Sequence, residues 1–332
     1  MENEIFSRSF VREVKEKVPQ KELVTMLMDL LFIEKEAIYR RLRGDVPFTM
    51  LETAKIAKKL NISIDNLIGC SSKKSRPFQM KLNKPDNGND DDFRLQKKFL
   101  DLIKVARNGE YSEFGFATSI FPLHFSNYYE SIERFYILRW LYQFETPGGN
   151  ISYDSIRISE KKFLLNQEFI QAVTHVQYTY FIWDKLVIFN LVNDILYFHA
   201  IHLINEKDLN WLEEEVHNLI NHMEDLCIRG EFENGHKIDM YISNLTFETT
   251  YTYFETSDFL LTLIKTFTLN ETVSFDDTVF QKMKLWMQTL KRTSTVISGS
   301  NEIGRIQFFE QQRKLVDKMF HKDYNPDTSF LI

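Results

Sequence analysis

Ile33-Glu-Lys-Glu-Ala-Ile-Tyr-Arg-Arg-Leu-Arg-Gly44 is the stretch around which this chain is organised. Ala37, Ile38 and Leu42 recur three to four residues apart, which lines them up as one apolar stripe of a helix over 34–43. The same spacing turns Lys35, Glu36, Tyr39, Arg40 and Arg43 mostly outward. Gly44 suits the left-handed position just past a last helical turn, so the helix is predicted to stop there.

The flanking residues build a small helical module on this segment. Phe6, Phe10, Val14 and Val18 keep helical spacing up to Pro19, which separates a first helix from a second over 20–31. That second helix should bury Leu23, Met26, Leu27, Leu30 and Leu31. Phe32-Ile33 makes a tight connection into the basic helix. Thr49-Met-Leu-Glu52 then has the form of a capping box, with the Thr49 hydroxyl and the Glu52 carboxylate satisfying one another's backbone amides. It opens a fourth helix to Leu60, expected to face Leu51, Ala54, Ile56, Ala57 and Leu60 inward. A short fifth helix is predicted over 62–68.

This order resembles the Cro/C1 repressor-type (XRE-like) helix-turn-helix family over residues 1–68. The matching features are the second helix, Ile33 in the turn, Ala37-Ile38 and Arg43-Gly44. The tail Leu51, Ile56-Ala57, Leu60, Ile62-Ser63, Asp65 and Leu67 also matches and is more specific. Two positions depart from the family. Met28 and Phe32 stand where alanine and glycine are usual, and phenylalanine tolerates positive φ poorly, so a wider or differently built turn is expected. Glu34 replaces the usual serine or threonine N-cap, although a carboxylate suits a helix start electrostatically.

The resemblance implies that 34–43 is a recognition helix entering the major groove of double-stranded DNA. Lys35, Glu36, Tyr39 and Arg40 are then the candidates for base edges, since arginine can grip guanine and glutamate can accept from cytosine. Lys21, Arg41, Arg43 and Thr49 are the candidates for phosphates, which position a module without reading sequence. The alternative is that the arginines form a solvated face and the helical head docks a protein partner, making the chain an interaction scaffold.

The 332 residues suggest about two domains. At 43% apolar and 27% charged, the composition is that of a globular protein. No apolar run reaches the roughly 18 residues of a membrane span, the two cysteines have no metal spacing, and the cytoplasm is the expected location. Residues 1–76 carry 15 basic against 11 acidic side chains, a net +4, while the remainder carries 26 against 36, a net −10. A basic head on an acidic body fits a nucleic-acid contact confined to the head.

Residues 69–92, rich in Gly, Pro, Ser, Asn and Asp, read as a linker. Residues 93–332 read as a mostly helical regulatory or dimerisation domain. The stretch 111–144 packs twelve aromatics, either as core or as the lining of a small-molecule pocket. Helices are predicted over 159–173 and 183–198, and from an Asn205 cap to Arg229. In this last helix Leu209, Leu212, Val216, Leu219, Met223 and Leu226 step 3, 4, 3, 4, 3, which suits an internal bundle helix or a dimer seam. Alternation over 238–243 and the β-branched, aromatic run 251–256 predict a small antiparallel ribbon. Two helices, 276–296 and 301–320, close the chain.

The search for catalytic chemistry is negative. There is no nucleotide fingerprint, nucleophile elbow or phosphate-loop lysine, and no cofactor is implied. His199, His202 and Glu206 could at most form part of a metal site, and they carry no prediction. The expectation is therefore a mainly α protein with a five-helix DNA-binding head and a helical body bearing one small β ribbon. Its partners would be double-stranded DNA, a second copy of the chain and a small-molecule or protein effector on the body, with no membrane contact and no enzymatic activity.

Overall fold

The structure, a computed structural model, describes residues 2–60, 62–64, 79–81, 94–106, 111–121, 123–144, 151–267 and 270–321. Most of the predicted fifth helix lies outside these residues. So does the predicted linker, apart from 79–81. The chain divides into two compact units, Met1–Phe78 with Asp276–Thr278, and Gln79–Phe275 with Val279–Ile332.

The first unit contains α1 (Glu2–Lys17), α2 (Gln20–Leu31), α3 (Lys35–Arg43) and α4 (Met50–Leu60). Its core joins Phe10 and Val14 of α1, Leu23 and Leu27 of α2, Ile38 of α3 and Ile56 of α4, all buried. Phe48 closes this core edge-on against Phe10, with ring centroids 5.9 Å apart. The inward face of α4 differs from the sequence reading at two places. Leu51 and Ala54 point to solvent, while Thr53 is buried beside Ile56 and Ala57.

The second unit overturns the expectation of a mainly α body. It is an α/β fold on a mixed sheet that has eight strands among the described residues, in the order β1-β7-β6-β5-β2-β3-β4-β8. The strands are β1 (Gln79–Lys81), β2 (Ser112–Thr118), β3 (Tyr178–Trp183), β4 (Lys237–Ile242), β5 (Tyr251–Thr256), β6 (Leu260–Phe267), β7 (Asn270–Ser274) and β8 (Thr295–Val296). The centre, β2-β3-β4, is parallel, and every other pairing is antiparallel. The predicted ribbon does not form. β4 pairs with β3 and β8, whereas β5 crosses to the far side of β2.

Parallel neighbours require long crossovers, and helices supply them. After α5 (Arg94–Ala106) and β2, the chain returns to β3 through α6 (Leu123–Ser126), α7 (Glu130–Phe144) and α8 (Glu160–Thr174). From β3 to β4 it passes through α9 (Val187–Ala200) and α10 (Glu206–Arg229). These helices and α12 (Glu302–Phe320) cover one face of the sheet, against Phe114, Phe116, Phe181, Trp183 and Met240. The opposite face is covered by α11 (Asp277–Thr293), through Phe280, Met283, Met287 and Leu290 against Tyr180, Ile182 and Tyr253.

The seam of α10 is entirely intramolecular. Leu209, Leu212, Val216, Leu219, Met223 and Leu226 are all buried in the core under the sheet, so this stripe is no dimer contact. Asn205 caps the helix by accepting from the Asp208 amide, and Gly230 ends it in the left-handed conformation. Much of the aromatic stretch is packing, because Phe114, Phe116, Phe121, Phe125, Phe135 and Trp140 are buried and Phe116 stacks on Phe181, whereas Tyr111, Tyr128 and Tyr142 are exposed.

Candidate nucleic-acid interface

The site is built on α2, a three-residue turn and α3. The turn begins at Phe32, whose backbone is left-handed (φ 57°, ψ 43°) while its amide donates to the Met28 carbonyl at 2.9 Å. The turn is therefore not widened to accommodate phenylalanine. Phe32 adopts the conformation a glycine would take, and its ring is 86% exposed. Ile33 packs back against the core, and Glu34 enters α3 in extended conformation without a side-chain capping bond.

Along α3, Ile38 and Leu42 are buried, whereas Lys35, Glu36, Tyr39 and Arg40 are exposed. The Lys35 ammonium lies 5.9 Å from the centre of the Tyr39 ring one turn later, within cation–π range. These four residues present two cations, a carboxylate and a phenol from one exposed surface. The helix stops as the sequence suggests. Gly44 (φ 87°) donates to Arg41 O at 3.1 Å and Asp45 to Arg40 O at 2.9 Å, the two bonds of a Schellman motif.

The four residues predicted to hold phosphates separate into different environments. Lys21 and Thr49 are exposed, as is Arg43, whose guanidinium pairs with Asp45 at 2.9 Å and with Glu36 at 3.8 Å. Arg41 is mostly buried and its guanidinium turns inward. Nε and Nη2 donate to the two Glu52 oxygens at 3.0 and 2.9 Å, and Nη1 reaches the Ala37 carbonyl at 3.3 Å. Glu52 also completes the predicted capping box. The Thr49 amide donates to its carboxylate at 2.8 Å, and its own amide donates to the Thr49 hydroxyl at 3.2 Å. Burial alone would push the Glu52 pKa up. The bonds from Arg41 and Thr49 outweigh that and hold it below the ordinary glutamate range.

Sequence reasoning did not single out Arg8 and Arg12, which share an exposed face of α1, nor the exposure of Phe32, Met50 and Leu51. The arginines could have been found by their four-residue spacing alone. In the body, no group of three or more metal-ligating side chains occurs among the described residues. His199 donates from Nδ1 to the Ile204 carbonyl at 2.9 Å and lies 3.4 Å from Glu206, but α9 ends at Ala200 and His202 turns left-handed (φ 64°), so the three do not share a helix face. No helix among the described residues is long and apolar enough to cross a membrane.

No curated protein and no solved structure matches the chain. Residues 5–86 match the BetR domain, a DNA-binding family of helix-turn-helix type. This match supports a helix-turn-helix type of N-terminal module and points to a DNA-binding regulatory role.

Proposed function

We propose that the chain is a sequence-specific transcriptional regulator that places α3 in the major groove of double-stranded DNA, in the Cro/C1 manner. The observation that carries this is the exposure of Lys35, Glu36, Tyr39 and Arg40 together on a helix anchored by Ile38 and Leu42. These four are assigned to base edges, and Lys21, Arg43 and Thr49 to phosphates. Arg41 is left out of the contact set, because its guanidinium is spent on Glu52 and Ala37.

Two such heads acting on half-sites one DNA turn apart would supply the affinity that one small module lacks. The α/β body is therefore assigned to dimerisation, effector sensing or both, and to no catalytic chemistry. The place of action is the cytoplasm. Duplex-DNA binding measured across a salt series tests the core of this reading. Affinity should fall steeply with salt, and Arg40→Ala with Arg43→Ala should weaken it. An absent salt slope, or an unchanged double variant, would sink the reading. Native mass spectrometry of the full chain reports the dimer and any retained small molecule.

A second reading, a protein-docking head on a scaffold body, draws on the exposure of Phe32, Met50 and Leu51. It expects a co-purifying partner and no footprint on duplex DNA.

A further inference from the structure

Beyond the α3 surface, α1 carries a second concentration of positive charge. Arg8, Arg12 and Lys15 fall at i, i+4 and i+7, and all three are exposed. They line a groove of about 520 Å³ between α1 and the end of α3, floored by Val11 and Leu42 and flanked by Arg43 and Gly44.

The cations of this groove have different employment. Lys15 donates to the Leu42 carbonyl at 3.2 Å and so neutralises one of the last carbonyls of α3, where the helix dipole is negative. The same bond ties α1 to α3 across the groove. Arg43 is engaged by Asp45. Arg8 and Arg12 have no such employment. Among the described residues neither makes an ion pair, although Glu16 lies one turn beyond Arg12 and lines the same groove. Two unpaired guanidiniums one helical turn apart repel each other, and an anion placed between them relieves that repulsion. Their planar forks match the paired oxygens of a phosphate or a carboxylate.

We infer that Arg8 and Arg12 form a phosphate-binding surface on α1, which seats the sugar-phosphate backbone of the same duplex that α3 reads. This rests on the DNA-binding reading of α3. Arg43, assigned above to phosphate, lines the same groove, which favours the backbone of that duplex over an acidic polypeptide as the occupant. Contacts of this kind add affinity without adding sequence preference.

The test is a salt titration of full-length protein on a specific duplex and on a scrambled one, comparing wild type with Arg8→Ala/Arg12→Ala and with Arg8→Lys/Arg12→Lys. Losing two phosphate contacts should make the slope of log affinity against log salt shallower by about 1.8. The change should be equal on both duplexes, and the lysine variant should restore most of the slope. Both residues are exposed, so thermal melts of the variants should overlay that of wild type. A folded alanine variant with the wild-type slope overturns the inference while leaving the α3 reading standing. A wild-type protein without any slope removes both. A variant that loses binding to poly-glutamate yet keeps its slope on DNA assigns the groove to an acidic polypeptide, and also overturns the inference.

Discussion

Arg41 and Glu52 meet in two parallel hydrogen bonds, 3.0 and 2.9 Å long, that join the recognition-helix candidate α3 to the first turn of α4. Because Glu52 also accepts from the Thr49 amide, one carboxylate caps α4 and fixes its position against α3. Glu52→Ala removes the cap and leaves a mostly buried guanidinium unpaired. With allowance for the pair's partial exposure, the head should lose about 2 kcal/mol. Urea unfolding of the variant checks this, and a double-mutant cycle with Arg41→Ala should give a coupling of about 1 kcal/mol. Additive single effects would refute the pairing.

The same carboxylate sets an acid limit. Its folded-state pKa lies below that of an unfolded-chain glutamate, despite burial, because Arg41 and Thr49 stabilise the ionised form. The resulting stabilisation is complete above the unfolded-chain value and disappears as pH falls through the lower folded-state value. Wild-type stability measured from neutral pH downward should therefore drop in that acid window. Glu52→Gln, less stable at neutral pH, should lose less over the same range. Parallel pH profiles for the two proteins would contradict this account.

Phe32 is strained without evident return inside its own module. A non-glycine residue in the left-handed region costs about 1–2 kcal/mol, and this ring is 86% exposed, so it recovers little by packing. Phe32→Gly should raise the melting temperature of the head, with a gain of about 1 kcal/mol after the greater chain entropy of glycine is counted. Phe32→Val, β-branched at positive φ, should lower it. A destabilised glycine variant would show that the ring is held by contacts its exposure does not suggest.

What could be read from the residues follows from the range of the interactions. The caps at Thr49, Asn205 and Gly44 and the stripe of α10 are encoded within one or two turns of helix, and they stand in the structure where local spacing put them. No strand is predicted over Tyr178–Trp183, which is central and parallel in the sheet. With both faces covered, it reads as a continuous apolar run instead of an alternation. The residues of β4 and β5 do alternate, but alternation identifies a strand and not its neighbour. Pairing Phe114 with Phe254 bridges 140 positions that no local pattern records. At the site, the exposed face of α3 was legible from its period, whereas the capture of Arg41 was not, since it depends on how α4 packs.

Gly115 shows how tightly the central strands are filled. A Cβ there would lie 2.6 Å from Tyr253 Cε1 and 2.8 Å from Tyr180 Cζ. Both rings are fully buried beneath α11, and the Tyr253 hydroxyl is held by Glu113. Neither ring can swing aside into solvent. Gly115→Ala should cost about 1–3 kcal/mol through overpacking and lower the melting temperature of the body by several degrees. Tyr253→Phe in the same background would not relieve the clash, because the ring edge and not the hydroxyl obstructs the methyl. Full stability in Gly115→Ala would mean the rings repack.

Leu219 tests the assignment of the α10 stripe to the interior. It is fully buried, in the middle of six apolar residues that pack within the body. Leu219→Ala leaves a cavity and should cost about 2–5 kcal/mol. If the stripe were a seam between two copies, stability and self-association would fall together, and the loss would shrink at high protein concentration. An internal helix instead predicts a concentration-independent loss, with the oligomeric state by native mass spectrometry the same in variant and wild type. Any dimer contact of this chain must then be sought on surfaces other than this stripe. A variant that shifts from dimer to monomer at unchanged fold would reverse that conclusion.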